Sequence, residues 1–86
     1  MIAGVAIKFN NTLFRLPAPC RHIDILQFIW KKYPGEKVEG GDHQGFYIND
    51  KEQTYLNRQQ AYIYAVERGQ IKATKGKESL FSEDLW

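Results

Sequence analysis

Alternation, helical period and capping chemistry together indicate an α+β domain. The expected architecture is a small antiparallel sheet of three or four strands with two helices, in the order β-β-α-β-β-α. Two alternating apolar runs flank Asn10-Asn11, a stripe of helical period follows Pro17 and Pro19, and a capping pattern at Asn57 opens a second helix that Gly69 closes. One domain over residues 1–86 accounts for the whole chain.

The first hairpin is the clearest element. Val5-Ala6-Ile7-Lys8-Phe9 and Thr12-Leu13-Phe14-Arg15-Leu16 alternate, and Asn tolerates the positive φ of a two-residue turn. The register follows: Phe9 opposite Thr12, Ile7 opposite Phe14, Val5 opposite Leu16, all on one face. Pro17 and Pro19 end the second strand. A helix is expected from about Cys20 to Tyr33, with Ile25, Leu26, Ile29, Trp30 and Tyr33 as its buried stripe and Pro34-Gly35 as its stop. Residues 36–44 form a polar, glycine-bearing loop, flexible on composition.

Two short strands follow, over Gly45-Phe46-Tyr47-Ile48 and Thr54-Tyr55-Leu56. Asn57 and Gln60 make a capping-box pattern, so a second helix runs to Arg68. Ala61, Tyr62, Ala65 and Val66 mark its sheet-facing side. The tail from Ser79 to Trp86 mixes aromatics with acids. Leu80, Phe81, Leu85 and Trp86 are costly to leave in water, so residues 79–86 are expected to dock on the domain or on a neighbouring subunit.

Composition excludes several classes. Five Tyr, five Phe and two Trp in 86 residues argue against disorder. A net charge of +2 is weak for a duplex-DNA binder, so a nucleic-acid partner is not expected. Cys20 stands alone, which leaves no internal disulfide and no cysteine zinc site. No membrane span or signal peptide is legible, and a cytoplasmic protein is expected. There is no glycine-rich phosphate loop and no nucleophile elbow, and neither a cofactor nor a metal is expected.

Pro19-Cys20-Arg21-His22-Ile23-Asp24 carries the chemistry. It puts a cation, an imidazole and a carboxylate at the start of an apolar helix. A helix start favours acids, so Arg21 there suits an anion such as a phosphate. His22 then hydrogen-bonds or transfers a proton, and Asp24 orients His22 or accepts from a ribose or base. Asp24 equally suits a purely structural task in the first helical turn. Arg58 repeats the theme at the second helix, where Asn57 suits a cap. If the two helix starts converge, they clamp a diphosphate or a cyclic oligonucleotide.

Arg68, Lys72, Lys75 and Lys77 read as a solvated basic stretch or as phosphate contacts, with Gly76 letting the backbone approach. Asp42 and His43 suggest a lid or metal role only weakly. Tyr64 points away from the Ala61/Ala65 face and is the tyrosine most free to meet a ligand.

The chain resembles a family of small bacteriophage and prophage proteins. The resemblance spans nearly the whole chain. It rests on Leu16-Pro17-Ala18-Pro19, Arg21-His22-Ile23-Asp24-Ile25, Gln44-Gly45-Phe46, Asn57-Arg58-Gln59-Gln60-Ala61, Gly69-Gln70-Ile71 and the segment from Leu80 to Trp86. Ile23 stands where that pattern often has a second His, and Gln53-Thr54-Tyr55 where it often has Gly-Arg-Phe. The resemblance implies a phage context. It also implies that Arg21, His22, Asp24, Gln44, Asn57, Arg58 and Ser82-Glu83-Asp84 form one functional unit.

The leading expectation is a non-catalytic protein that sequesters a phosphorylated nucleotide signal, linear or cyclic, to counter host defence. Its ligand-binding residues are Arg21, His22, Asp24, Gln44, Asn57, Arg58, Tyr64 and Lys75. A homo-oligomer, with a dimer favoured, is expected from the aromatic excess. Two alternatives stand beside it. One is an enzyme that cleaves such a nucleotide, with His22 and Asp24 as acid/base pair. The other is an inhibitor that grips a host protein through its acidic-aromatic tail.

Overall fold

A computed structural model describes residues 1–35 and 44–86. The elements are β1 (Ile2–Phe9), β2 (Thr12–Pro17), α1 (His22–Lys32), β3 (Gln44–Ile48), β4 (Tyr55–Asn57), α2 (Arg58–Glu67) and a 3-10 turn over Ser82–Asp84. The protein is therefore α+β, in the order β-β-α-β-β-α, with a four-stranded antiparallel sheet arranged β2-β1-β3-β4.

The hairpin register is Val5 to Leu16, Ile7 to Phe14 and Phe9 to Thr12, as the alternation requires. Asn10 and Asn11 both have positive φ, +49° and +59°, which matches the right-handed twist of the flanking strands. β1 also pairs with β3, placing Ile7 opposite Gln44 and Val5 opposite Phe46. One face of the sheet supplies Val5, Ile7 and Phe46 to the core. Onto it α1 packs Ile25 and Ile29, α2 packs Ala61 and Ala65, and the tail adds Leu80. Small alanines let α2 approach the sheet closely.

α1 differs from its expected form at both ends. It begins at His22, with Arg21 as the extended cap residue, so Cys20 lies outside it. Cys20 instead closes a turn, its N–H donating to the Pro17 carbonyl at 3.0 Å. The buried stripe is His22, Ile25 and Ile29, with Leu26 and Tyr33 half-buried along it. Trp30, expected on that stripe, is 45% exposed. Each residue advances a helix by about 100°, so Trp30 lies a quarter-turn past Ile29. That angle carries Trp30 off the His22–Ile25–Ile29 stripe that faces the core.

Two strand boundaries also shift. β3 begins at Gln44, and β4 runs over Tyr55–Asn57 rather than from Thr54 to Leu56. The capping box at Asn57 forms as expected: Gln60 N–H donates to Asn57 Oδ1 at 2.8 Å, and Asn57 N–H donates to Gln60 Oε1 at 3.0 Å. Gly69 takes φ +72° and ends α2.

The tail lies against this same chain. Leu80 is fully buried, and its N–H donates to the Arg58 carbonyl at 3.0 Å. Trp86 Nε1–H donates to the Cys20 carbonyl at 2.9 Å. The tail thus runs from the start of α2 to the start of α1. No helix among the described residues is long and apolar enough to cross a membrane.

Candidate functional site

The two helix starts converge. Arg21 and His22 at the head of α1, Arg58 at the head of α2 and Gln44 at the head of β3 line one cavity of about 260 Å³. β3 links the two starts: His22 Nε2 lies 2.7 Å from the Gly45 carbonyl oxygen, and Gly45 pairs with Asn57, the residue before Arg58. The tail builds the remaining wall with Phe81, Ser82 and Glu83, and Ile23 and Leu26 of α1 form an apolar rim.

His22 is the floor of the site. Buried among core side chains, it sets its ring edge-on to Phe46 at 5.1 Å between centroids. Its Nε2 lies 2.7 Å from the Gly45 carbonyl oxygen. A carbonyl only accepts, so Nε2 carries the proton and Nδ1 of the neutral ring is an acceptor. Burial holds the His22 pKa below its ordinary value. The Gly45 hydrogen bond opposes that shift, the Arg58 charge reinforces it and Glu83 weakly offsets it. Gly45 itself is required: a Cβ there would meet the Tyr55 ring at 2.6 Å.

Arg58 is partly buried, and its hydrogen-bond partners among the described residues are neutral groups. It donates to the Leu80 carbonyl at 2.8 Å and to Gln44 Oε1 at 2.5 Å. Burial lowers its pKa, opposed by the charges of Glu83 and Tyr55. Among the described residues no Asp or Glu carboxylate lies within salt-bridge distance of it; the one such pair is Lys77 with Asp84. Arg21 donates to Ser82 Oγ at 3.4 Å and to the main-chain oxygen of Trp86. A guanidinium has five N–H donors, so each arginine keeps donors beyond the two bonds it makes here.

The remaining expected site residues lie elsewhere. Asp24 Oδ2 accepts from the Arg21 N–H at 2.7 Å, which is the structural task open to it, and it does not orient His22. The His22–Asp24 acid/base pair therefore does not form. Asn57 spends its side chain on the α2 cap. Tyr64 is half-buried against the core, accepts from the Met1 nitrogen at 2.7 Å and carries Arg68 over its ring. A tyrosine expected to be free is thus engaged, because Met1 at the start of β1 reaches it. Lys75 is exposed on a turn before Gly76 and lines none of the cavity around Arg58. Asp42 and His43 fall outside the described residues.

Sequence reasoning missed Phe81 as a wall and Ile23 and Leu26 as a rim. Phe81 is 46% exposed, with the Arg58 guanidinium 4.7 Å and the Lys77 ammonium 4.9 Å from its ring centroid. Its only sequence signal was an aromatic beside acids near the chain's end. Among the described residues no three His, Cys, Asp or Glu side chains are grouped to hold a metal ion.

A site with two cations, two acceptors and an apolar rim suits an anion that also carries donors and a flat face. No curated protein and no solved structure matches the chain. One family does match, over residues 1–86, and on that match the chain belongs to the Phage T4 y16D protein family.

Proposed function

We propose that this phage protein binds a phosphorylated nucleotide signal of its bacterial host, in the cavity between the starts of α1 and α2, and sequesters it. The observation that carries the reading is Arg58. It is a partly buried cation whose hydrogen-bond partners among the described residues are neutral, and it shares its cavity with a second arginine and the Glu83 carboxylate. Two cations against one carboxylate leave a positive excess in a partly desolvated site, and an incoming phosphate offsets it.

The rest of the lining favours a nucleotide over a bare phosphate. Glu83 and the Nδ1 of His22 need donors, which the amino and hydroxyl groups of a nucleotide supply. Ile23, Leu26 and Phe81 offer an apolar surface for a base. A cavity of about 260 Å³ is small for a ligand site. It holds the phosphate and its neighbours, and the base lies out on the rim.

Binding without turnover fits the side-chain assignments. His22 spends its N–H on Gly45 and Asp24 serves Arg21, so among the described residues no carboxylate orients the imidazole. The tail suits a wall of the site better than a free arm for a host protein, since Leu80 and Ser82 are buried in its own domain.

Calorimetry against mononucleotides, cyclic di- and trinucleotides and ADP-ribose isomers tests the reading. At least one should release heat with the wild type and little with Arg58→Ala, and the bound ligand should be recovered chemically intact. No heat from any of them at micromolar protein overturns it.

A further inference from the structure

Two cations that line different cavities of similar size both lie against the Phe81 ring. Arg58, 4.7 Å from the ring centroid, opens onto the site described above. Lys77, 4.9 Å from the same centroid, opens onto a second cavity of about 260 Å³. Lys72, Thr74 and Gln70 line that second cavity. The two charges are thus separated by no more than the reach across one aromatic ring.

We infer that the second cavity is a second phosphate subsite, so that the ligand class is a nucleotide carrying two phosphate groups held apart by a sugar. The inference rests on the reading of the first cavity. One phosphate meets Arg58 and Arg21, the sugar or base crosses Phe81, and the other phosphate meets Lys77 with Lys72 nearby.

Asp84 holds Lys77 at 2.9 Å and is the charge opposing a phosphate there. Both side chains of that pair are partly exposed, and pairs of that kind contribute little stability. The same Asp84 oxygen accepts from the Phe81 N–H at 2.8 Å. When a phosphate takes Lys77, Asp84 therefore keeps its partner in the 3-10 turn, and the Phe81 wall stays in place. The Thr74 N–H is committed to Tyr62 Oη at 2.9 Å, so it fixes the cavity wall and is not counted as a donor to the ligand. The lysines supply the charge.

Adenosine 3′,5′-bisphosphate and adenosine 5′-monophosphate are the probes, titrated into wild type and Lys77→Met. Lys77 is a surface residue, and thermal melting of the variant checks that its fold is kept. The wild type should bind the bisphosphate about 10-fold or more tighter than the monophosphate, the gain of one further charge-assisted contact. Lys77→Met should erase that difference and leave monophosphate affinity unchanged. Equal affinity for both probes, or a preference that Lys77→Met leaves intact, overturns the second subsite while the first cavity stands. If neither probe binds, the inference is overturned, and the wider panel with Arg58→Ala then decides the first cavity separately.

Discussion

His22 Nε2 and the Gly45 carbonyl oxygen lie 2.7 Å apart, joining the first residue of α1 to the central strand β3. The contact lets a histidine be buried at a helix start and fixes which ring nitrogen carries the proton, while burial favours the neutral ring. The unfolded chain takes up a proton at His22 near the ordinary value of 6.5, whereas the folded chain does so only at lower pH. Between those two values the unfolded state binds more protons, so stability falls as pH falls through about 6.5 toward the lower, folded pKa. Denaturant melts from pH 8 to pH 5 should show that loss. His22→Gln, which keeps a donor for Gly45 but does not titrate, should flatten the slope. An equal slope in wild type and variant would show that other groups set it.

Arg58 has both a structural and a binding assignment, and lysine separates them. Arg58→Lys keeps the charge and one bond to Leu80 or Gln44, yet loses the planar fork. It should cost about 1 kcal/mol of stability and weaken nucleotide binding about 10-fold or more. Arg58→Ala should cost more stability, about 1–3 kcal/mol, because the Leu80 carbonyl is left without its donor. Chemical denaturation and calorimetry on the same samples read the two effects apart.

On the proposed reading, Glu83 sets the selectivity of the cavity it lines. Its carboxylate would repel inorganic phosphate and accept from a ligand that brings donors. Glu83→Gln should therefore strengthen inorganic phosphate binding and weaken nucleotide binding. Affinities moving in the same direction for both would place Glu83 outside the recognition step.

The tail is part of the fold. Leu80 is fully buried against both the sheet and α2, so Leu80→Ala should cost about 2–5 kcal/mol. Removing residues 80–86 should be worse, because it also strips Arg21 of its Ser82 and Trp86 partners. Circular dichroism melts check both variants. An unchanged melting temperature for the truncated chain would return the tail to the role of a free arm.

The local chemistry of the chain was open to sequence reasoning, and side-chain destinations across the fold were less so. The Asn10-Asn11 hairpin, its register, and the Asn57–Gln60 cap all rest on neighbours in sequence, where turn and capping rules act directly. The meeting of Arg21 and Arg58 could be posed only as a condition, because it depends on the strand order β2-β1-β3-β4. Trp30 and Tyr64 went astray for the same reason. Which flank of a helix is covered, and whether Met1 reaches a given tyrosine, are decided by partners far along the chain. Phe81 gave no sign of its contact with two cations, since Arg58 and Lys77 reach it from separate parts of the chain. Asp24 was open to two tasks from its position alone, and the Arg21 N–H at 2.7 Å decides between them.

The central claim is that a phosphate is held by Arg21 and Arg58 together. Nuclear magnetic resonance of the arginine side-chain N–H groups, during titration with the nucleotide that gives calorimetric heat, tests it most directly. Saturable shifts at the Nε–H signals of Arg21 and Arg58, with accompanying shifts at Gln44 and His22, are the expected result. Saturation with both arginine signals unmoved would contradict the account and leave the two guanidinium groups as fasteners of the tail.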